Sequence, residues 1–267
     1  MTMTSRCRLT ATLAACLLLG GTAVAHAQAA LDNIMKSKTI RIGVPTDYPP
    51  YGFVGIDLKP QGLDVAMAEL IAEKMGVKLQ AVPVISANRI PYVQTKQVDL
   101  VISTLGKNAE RLKVIDFTHA YAPFFQGVYG PKSMSIKSFA DLGGKTIAVA
   151  KGAMEEQELV KVGPPTMDFK RYEDQAATTA AFVAGQAQLL ATSVSNAGLM
   201  AQKNPQLGAE FKLLIKDSPN FIGVAKGEDA LRSKVNEIIL AARKDGTIDK
   251  MSQKWLGRPA GELPLTE

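Results

Sequence analysis

The chain has 267 residues, two histidines, two cysteines and a formal net charge of +6, with basic and acidic residues interspersed. A nucleic-acid-binding surface needs a basic stripe interleaved with aromatic residues, and the scattered charges here argue against one. Both cysteines, Cys7 and Cys16, lie in the N-terminal apolar region. The rest of the chain therefore has neither a disulfide nor a thiol nucleophile.

Residues 1–27 are typical of a cleaved secretory signal. Arg6 and Arg8 precede an apolar stretch that is short for a membrane span and ends in small residues. We expect cleavage after Ala27, which lowers the net charge to +4 and leaves the protein in the periplasm. Lipidation at Cys16 is a less favoured alternative, because apolar sequence follows where lipoproteins usually carry a polar tether. Beyond the signal, no apolar run approaches membrane-spanning length.

After the signal, short β-branched runs alternate with amphipathic stretches, which predicts an α/β fold. The first group comprises strands over 39–44, 79–84 and 100–105 and helices over 63–75 and 90–97. A strand-like run over 124–129 leads into the second group, with strands over 145–150, 169–172, 189–194 and 211–215 and helices over 154–162 and 176–184. A helical tail over 229–256, punctuated by Gly246, has an apolar stripe to bury. Gly76 follows the first helix where a left-handed C-cap residue is expected.

Turn-rich segments at 130–131 and 217–220 separate the two groups and are typical of hinges. We therefore predict two Rossmann-like lobes. Residues 28–128 and 219–267 form the first lobe, and residues 129–218 form the second, inserted lobe.

The sequence offers little for catalysis. His119 is the single histidine after the signal, and it lies in a stretch that we interpret as a loop, where a hydrogen-bonded bystander is the favoured interpretation. No HExxH, GxGxxG or P-loop pattern and no paired metal-ligand spacing is present. We therefore expect no metal, no cofactor and no catalytic residues.

Arg111 is the best single binding candidate. It follows the strand over 100–105, at the start of a short helix capped by Asn108, so its guanidinium lies near the carboxyl edge of a sheet. A planar fork of donors suits a bidentate carboxylate. The alternative is a surface ion pair with Glu110 or Asp116.

Two further segments have alternative interpretations. Residues 151–156 follow a strand and open a helix, where exposed amides bind anions well, but on this pattern alone a plain turn with acidic residues complementing the helix dipole is favoured. Tyr48, Tyr51 and Phe53 share a turn-rich loop after the first strand, and they could wall a pocket or pack locally.

In this order, the segments resemble the family 3 extracellular solute-binding proteins of amino-acid ABC transporters. The resemblance covers nearly all of the chain after the signal and rests on residues 40–44, 62–65, 98–103, 110–111, 116–118, 245–247 and 255–257. It implies a type II periplasmic-binding fold with two hinge strands that closes over its ligand. The partners it implies are a small carboxylate or amino-acid ligand and an inner-membrane ABC permease, and we expect a monomer.

The resemblance also implies roles for individual residues. Arg111 matches the arginine that receives the ligand α-carboxylate, and Ser103 and Thr104 lie in the stretch that supplies further polar contacts. Tyr48 and Tyr51 match the aromatic loop that covers the ligand side chain. The turn over 152–154 matches the second-lobe turn whose amide also meets the carboxylate.

Three positions depart from the family pattern. Met154 stands where a hydroxyl residue is usual, and Gly106 stands where a serine or threonine often contributes. Ser193 matches the place of an aspartate that neutralises the ligand ammonium, and a buried ammonium without a carboxylate partner is costly. Either Asp47, Asp64 or another acid takes over that role, or the ligand is not an ordinary α-amino acid.

Two functions other than ligand uptake are compatible with this sequence. The periplasmic cyclohexadienyl dehydratases resemble this family, and such an enzyme would need a general acid in the cleft, for which Glu155 or Glu156 is placed by sequence. A ligand-presenting partner of a membrane sensor would have the same sequence features as a transport protein.

Overall fold

The computed structural model describes residues 29–266, so the predicted signal and both cysteines lie outside the described residues. The strands are β1 (Thr39–Val44), β2 (Asp47–Tyr48), β3 (Gly52–Val54), β4 (Pro60–Gln61), β5 (Lys78–Pro83), β6 (Leu100–Leu105), β7 (Ile115–Ala122), β8 (Phe125–Pro131), β9 (Thr146–Ala150), β10 (Asp168–Tyr172), β11 (Leu189–Ser193), β12 (Ala209–Asp217) and β13 (Asn220–Ala225). The helices are α1 (Ala29–Ser37), α2 (Leu63–Met75), α3 (Arg89–Gln94), α4 (Ala109–Leu112), α5 (Met154–Val162), α6 (Gln175–Val183), α7 (Val194–Lys203), α8 (Asp229–Lys244) and α9 (Thr247–Leu256). Short 3-10 helices cover Phe139–Leu142 and Pro205–Leu207.

Two five-stranded sheets organise the described residues into two lobes. The first sheet has the order β5-β1-β6-β13-β7, and the second has the order β10-β9-β11-β8-β12. In the first sheet β1 runs parallel to β5 and β6, whereas β13 is antiparallel to β6 and β7. In the second sheet β9 runs parallel to β10 and β11, and β8 is antiparallel to β11 and β12. Both lobes thus share one plan, as predicted for an α/β fold with two Rossmann-like lobes.

The chain passes between the sheets twice. It leaves the first sheet after β7 and enters the second at β8, and it returns between β12 and β13. These two crossings lie side by side, because Ser218 donates its backbone N–H to the carbonyl of Phe124 at 3.0 Å. The predicted lobe boundary at 128/129 falls inside β8, and the limits of the lobes stay a prediction.

Each lobe has its own apolar core. In the first lobe α2 buries one face against β1, β5 and β6, and it ends at Gly76, which adopts the predicted left-handed conformation with φ 66°. The helical tail divides at Gly246 into α8 and α9, and Leu231, Val235 and Ile248 pack into this same core. Two smaller clusters around Val149 and Leu190 cover the two faces of the second sheet.

The predicted loop around His119 is wrong. His119 lies within strand β7 and not in a loop, and its Nδ1 accepts a hydrogen bond from the backbone N–H of Thr266 at 3.0 Å. Thr118 explains why this polar stretch forms a strand, because its buried hydroxyl accepts the backbone N–H of Ile222 at 3.1 Å. His119 is therefore the predicted hydrogen-bonded bystander, tied to the C-terminal segment.

Candidate ligand site between the lobes

The two lobes contact each other through hydrogen bonds along the cleft. The hydroxyl of Tyr48 lies 3.0 Å from Oγ1 of Thr192 and accepts the backbone N–H of Ser193 at 2.9 Å. The side chain of Asn196 donates to the carbonyl of Pro49 at 2.9 Å. The structure is therefore a closed form, in which the side chains between the lobes are buried.

Two of the three predicted loop aromatics lie at the cleft. Tyr48 and Tyr51 are buried with their ring centroids 5.4 Å apart, and Tyr51 packs edge-on against Phe124 at the first crossing, 5.1 Å away. Burial raises the pKa of Tyr51 to about 12, so its hydroxyl stays neutral. Phe53 points elsewhere and packs against Trp255 at 6.1 Å.

Arg111 bridges the two lobes. Oδ1 of Asn108 accepts its backbone N–H at 2.9 Å, which confirms the predicted helix cap. The guanidinium donates to the carbonyl of Gly106 in the first lobe at 2.9 Å and to that of Gly152 in the second lobe at 3.1 Å. Nε of Arg111 is buried and has no hydrogen-bond partner among the described residues. An unpaired buried donor costs about 1–3 kcal/mol, so this N–H favours a bound acceptor.

The surroundings of Arg111 do not fit a surface ion pair. Glu110 pairs with Lys113 at 2.8 Å, and Asp116 lies 2.6 Å from Lys226. Arg111 is only 5% exposed, and burial lowers its pKa to about 9, with the charge of Arg89 acting in the same direction. An anionic ligand would stabilise this positive charge.

A groove opens to solvent beside Arg111. It has a volume of about 580 Å³ and is lined by Asn108 and Arg111 from the first lobe and by Gly152 and Gln157 from the second. This volume falls within the range of small-molecule sites. The groove therefore gives the bridging guanidinium a route to solvent.

Arg89 is a buried cleft residue that the sequence analysis missed. Its guanidinium donates to the carbonyls of Ser103 at 2.5 Å and Thr104 at 3.2 Å, and Nε donates to that of Ser86 at 3.2 Å. Burial lowers its pKa, while the charge of Glu155 raises it. Arg89 and Val93, four residues apart, are the buried positions of α3. That spacing places the arginine on the inner face of the helix and was the available signal.

Ser103 and Thr104 end the central strand β6 and are buried beside Arg89. Thr104 has a φ of 43°, in the left-handed region that favours glycine, so its backbone is strained at this point. Asp64 holds the strained residue, because its Oδ2 accepts the backbone N–H of Thr104 at 2.8 Å and its Oδ1 accepts the hydroxyl of Tyr121 at 2.7 Å. Burial raises the pKa of Asp64 to about 7, although both hydrogen bonds act to lower it.

The turn before α5 approaches the first lobe closely. Gly152 has a φ of 72°, and a Cβ placed on it would lie 3.0 Å from Cα of Ala87 across the cleft. Met154 also reaches the first lobe, since a Cβ on Gly106 would lie 2.7 Å from its Cε. The two departures from the family pattern are therefore complementary, because the methionine fills the space that the glycine leaves.

Ser193 has its polar groups engaged within the protein. Its hydroxyl accepts the backbone N–H of Asn196 at 3.1 Å and caps α7, while its own backbone N–H donates to Tyr48. Asp47, one of the acids considered as a replacement, accepts the backbone N–H of Gln175 at 2.7 Å across the lobes. Burial raises the pKa of Asp47.

The two glutamates at the start of α5 differ in environment. Glu156 accepts the backbone N–H of Gly152 at 2.8 Å and lies 2.5 Å from Nε of Arg171. Glu155 is 3% exposed, and its Oε1 is buried without a hydrogen-bond partner in the described part of the chain. Burial raises the pKa of Glu155, and the charges of Arg89 and Arg111 oppose this shift.

The two crossings contribute polar side chains as well. Gln126 on β8 and Asn220 on β13 are fully buried, and within residues 29–266 their side-chain amide groups have no hydrogen-bond partner. Buried amides are rarely left unsatisfied. The sequence pattern does not predict a role for either residue, because their positions depend on how the chain crosses between the sheets.

The described residues contain neither a metal-binding cluster nor a helix that could span a membrane. Across residues 29–266, side chains of His, Cys, Asp and Glu nowhere gather in groups of three or more that could hold a metal ion. In that same range, each helix lacks either the length or the apolar character needed to cross a bilayer.

Comparison with known proteins places this architecture in one family. Residues 40–258 match the sequence model of the bacterial extracellular solute-binding proteins, family 3. The chain is 26% identical over 251 residues to the L-cystine-binding protein TcyJ of Escherichia coli K12, covering 92% of this chain and 93% of that protein.

Solved structures agree with the sequence match. An ancestral arginine-binding protein bound to arginine is 32% identical with a TM-score of 0.77, and the alignment covers 82% of this chain and 99% of that one. The ancestral amino acid-binding protein AncCDT-1, described as a precursor of cyclohexadienyl dehydratase, is 31% identical with a TM-score of 0.76, covering 85% and 99%. The chain therefore belongs to the bacterial extracellular solute-binding proteins of family 3, with the type II periplasmic-binding fold.

Proposed function

We propose that this protein is the periplasmic substrate-binding component of an ABC uptake transporter and closes its two lobes on an amino acid. The observation that carries the proposal is Arg111, which is buried, reaches both lobes and keeps an unpaired Nε–H. A guanidinium in this position suits the α-carboxylate of a ligand held between the lobes. The relatives named above are binding proteins for cystine, arginine or amino acids, which supports the same ligand class.

The remaining predicted contacts fit around this carboxylate subsite. Ser103 and Thr104 supply polar groups from β6. Gly152 shapes the second-lobe wall of the subsite, since Glu156 accepts its backbone N–H and Arg111 donates to its carbonyl. Tyr48 and Tyr51 cover the ligand from the first lobe. Met154 adds an apolar wall.

Ser193 has a structural part in this proposal, because its hydroxyl caps α7. Its backbone N–H supports the closed form through Tyr48.

The ligand closes the lobes by shifting the equilibrium between the open and the closed form. The lobes have an open and a closed arrangement, and a ligand drives closure only to the extent that it binds the closed form more tightly. The closed protein, a monomer in this proposal, then delivers its ligand to an inner-membrane permease. Secretion would proceed through the predicted signal at residues 1–27, which lies outside the described residues.

The first experiment is a thermal-shift screen of refolded, ligand-stripped protein against the standard amino acids and L-cystine, because a ligand specific to the folded state raises the melting temperature. We expect stabilisation by a narrow set of amino acids. Replacing Arg111 by alanine should weaken their binding by about 10- to 100-fold, as expected for a hydrogen-bonded charge pair. The matched control is Arg232→Ala, which removes an arginine that pairs with Asp229 on α8. Unchanged affinity of Arg111→Ala with a normal melting curve would contradict the proposal.

A further inference from the structure

The amine of an α-amino acid needs a carboxylate in this cleft. Two guanidinium groups, Arg89 and Arg111, are buried between the lobes, so the cleft already suits the carboxylate end of a ligand. An ammonium buried beside two cations without an acceptor is strongly unfavourable. Ser193, at the place where the family pattern has an aspartate, bears no charge and uses its hydroxyl to cap α7.

Two carboxylates near the cleft are already engaged. Both oxygens of Asp64 accept hydrogen bonds, from the backbone N–H of Thr104 and the hydroxyl of Tyr121, so a ligand would have to break one of them. Asp47 accepts the backbone N–H of Gln175 and thereby joins the lobes. Using Asp64 for the ligand would cost a hydrogen bond within the first lobe, and using Asp47 would compete with its hydrogen bond across the lobes.

Glu155 differs from both. It is buried at the start of α5 in the second lobe, and its Oε1 has no partner among the described residues. The first lobe acts on Glu155 through the charges of Arg89 and Arg111 and through a side-chain hydrogen bond from Tyr48. Glu155 therefore reaches across the cleft to the point where the first-lobe ligand groups converge.

We propose that Glu155 accepts hydrogen bonds from the α-ammonium of the ligand while Arg111 donates to its α-carboxylate, so that the protein selects zwitterionic α-amino acids over amine-free acids. This proposal rests on the proposed function of amino-acid binding. Since the two charged groups come from different lobes, one amino acid joins both and stabilises closure. An acid without the amine pairs with Arg111 alone and leaves Oε1 of Glu155 buried without a hydrogen bond.

Calorimetric titration tests this assignment with the tightest-binding amino acid of the screen and the same molecule without its amine. For L-arginine the analogue is δ-guanidinovaleric acid, and for L-cystine it is dithiodipropionic acid. The unmodified protein should prefer the amino acid by at least about tenfold, as expected for a charge-assisted pair. Glu155→Gln should lose most of that preference through weaker binding of the amino acid, with binding of the analogue kept or improved.

The matched control is Glu158→Gln, on the same helix, because the charge of Glu158 also acts on Arg111 while its carboxylate pairs with Lys161 and Lys216. It should retain the full preference. A Glu155→Gln protein that melts normally and still prefers the amino acid tenfold would overturn the assignment of Glu155.

Other results separate the two proposals. If the unmodified protein binds only amine-free acids, the ammonium subsite is wrong while the binding function stands. If neither class binds, the proposed function fails. Release of phenylpyruvate from prephenate, with loss of water and carbon dioxide, that disappears in Glu155→Gln would overturn the ammonium role in favour of a general acid.

Discussion

Replacing Gly152 by alanine should impair closure without preventing folding. The added Cβ would lie 3.0 Å from Cα of Ala87 and 3.3 Å from the carbonyl oxygen of Ser86. Both atoms belong to the backbone of the other lobe, so they cannot move aside as a flexible side chain could. In an open form the lobes separate and the contact disappears. The clash therefore acts on closure and leaves the fold of each lobe intact.

The expected loss of ligand affinity in Gly152→Ala can be worked out from the cost of overpacking. Forcing an extra methyl group into a packed contact costs about 1–3 kcal/mol, and about 1.4 kcal/mol corresponds to a tenfold change in affinity. Gly152→Ala should therefore bind ligand about 5- to 150-fold more weakly. The left-handed φ of 72° adds a further cost for alanine, but this cost is the same in the open and closed forms and cancels from the affinity.

Gly185→Ala provides the matched control for backbone strain. Gly185 also lies in the second lobe with a φ of 72°, and a Cβ there would have no heavy atom within 4 Å. Calorimetric titration should show weaker binding for Gly152→Ala only, while thermal unfolding should show similar destabilisation for both variants. Small-angle scattering should show compaction on ligand addition for Gly185→Ala and a reduced response for Gly152→Ala. Equal affinities of the two variants would refute the argument.

Three further predictions concern the cleft. Tyr48→Phe removes the acceptor for the backbone N–H of Ser193, and calorimetry should show about tenfold weaker ligand binding, because an unsatisfied buried donor costs about 1–3 kcal/mol. Gly106→Ser should weaken binding, and adding Met154→Thr should restore part of it because the contact with Oγ of Ser218 remains, so a double-mutant cycle should give a coupling of about 0.5–3 kcal/mol. Asp64 has a folded pKa of about 7, above its unfolded value, so its stabilising contribution is full below about pH 4 and is lost as pH rises to about 7. The difference in unfolding free energy between the unmodified protein and Asp64→Asn, from denaturant titrations, should therefore fall across this pH range, and a constant difference would contradict the raised pKa.

The fold was predictable where the hydrophobic pattern is strong. The predicted limits of β1, α2, β6 and α5 coincide with those in the structure, because each is a continuous apolar run or a helix with a clear buried face. Strand β7 was missed because its polar residues suggest a loop. Its Thr118 is buried only because β13 supplies a backbone donor from about one hundred residues away.

Helix α7 and strand β13 were missed for related reasons. The glycine, serine and asparagine in α7 are poor helix formers, and its N-cap at Ser193 also ends the preceding strand. Asn220 was included in a predicted turn, whereas in the structure it begins β13 and is fully buried. Local propensity favours loops in both places, and tertiary packing overrides it.

The site was predictable to the extent that its residues lie at strand ends. Arg111 and its cap at Asn108 follow β6, and the turn at Gly152 follows β9, so the carboxyl edges of both sheets pointed to them. The partner of each residue could not be predicted in the same way. That Arg111 reaches the carbonyl of Gly152, or that Tyr48 reaches Ser193, depends on how the lobes close.

The three departures from the family pattern form two linked changes. Met154 fills the space that Gly106 leaves across the cleft. An apolar side chain thus replaces the hydroxyl groups that the family pattern has at both positions, which makes this wall of the cleft less polar. At the other departure, Ser193 binds Tyr48 through its backbone, and in our proposal Glu155, which also contacts Tyr48, supplies the carboxylate lost there. In our proposal Glu155 receives the ammonium, so the amine of the amino acid lies toward α5 and the hydroxyl of Tyr48, and Arg111 holds the carboxylate at the other end of the same molecule.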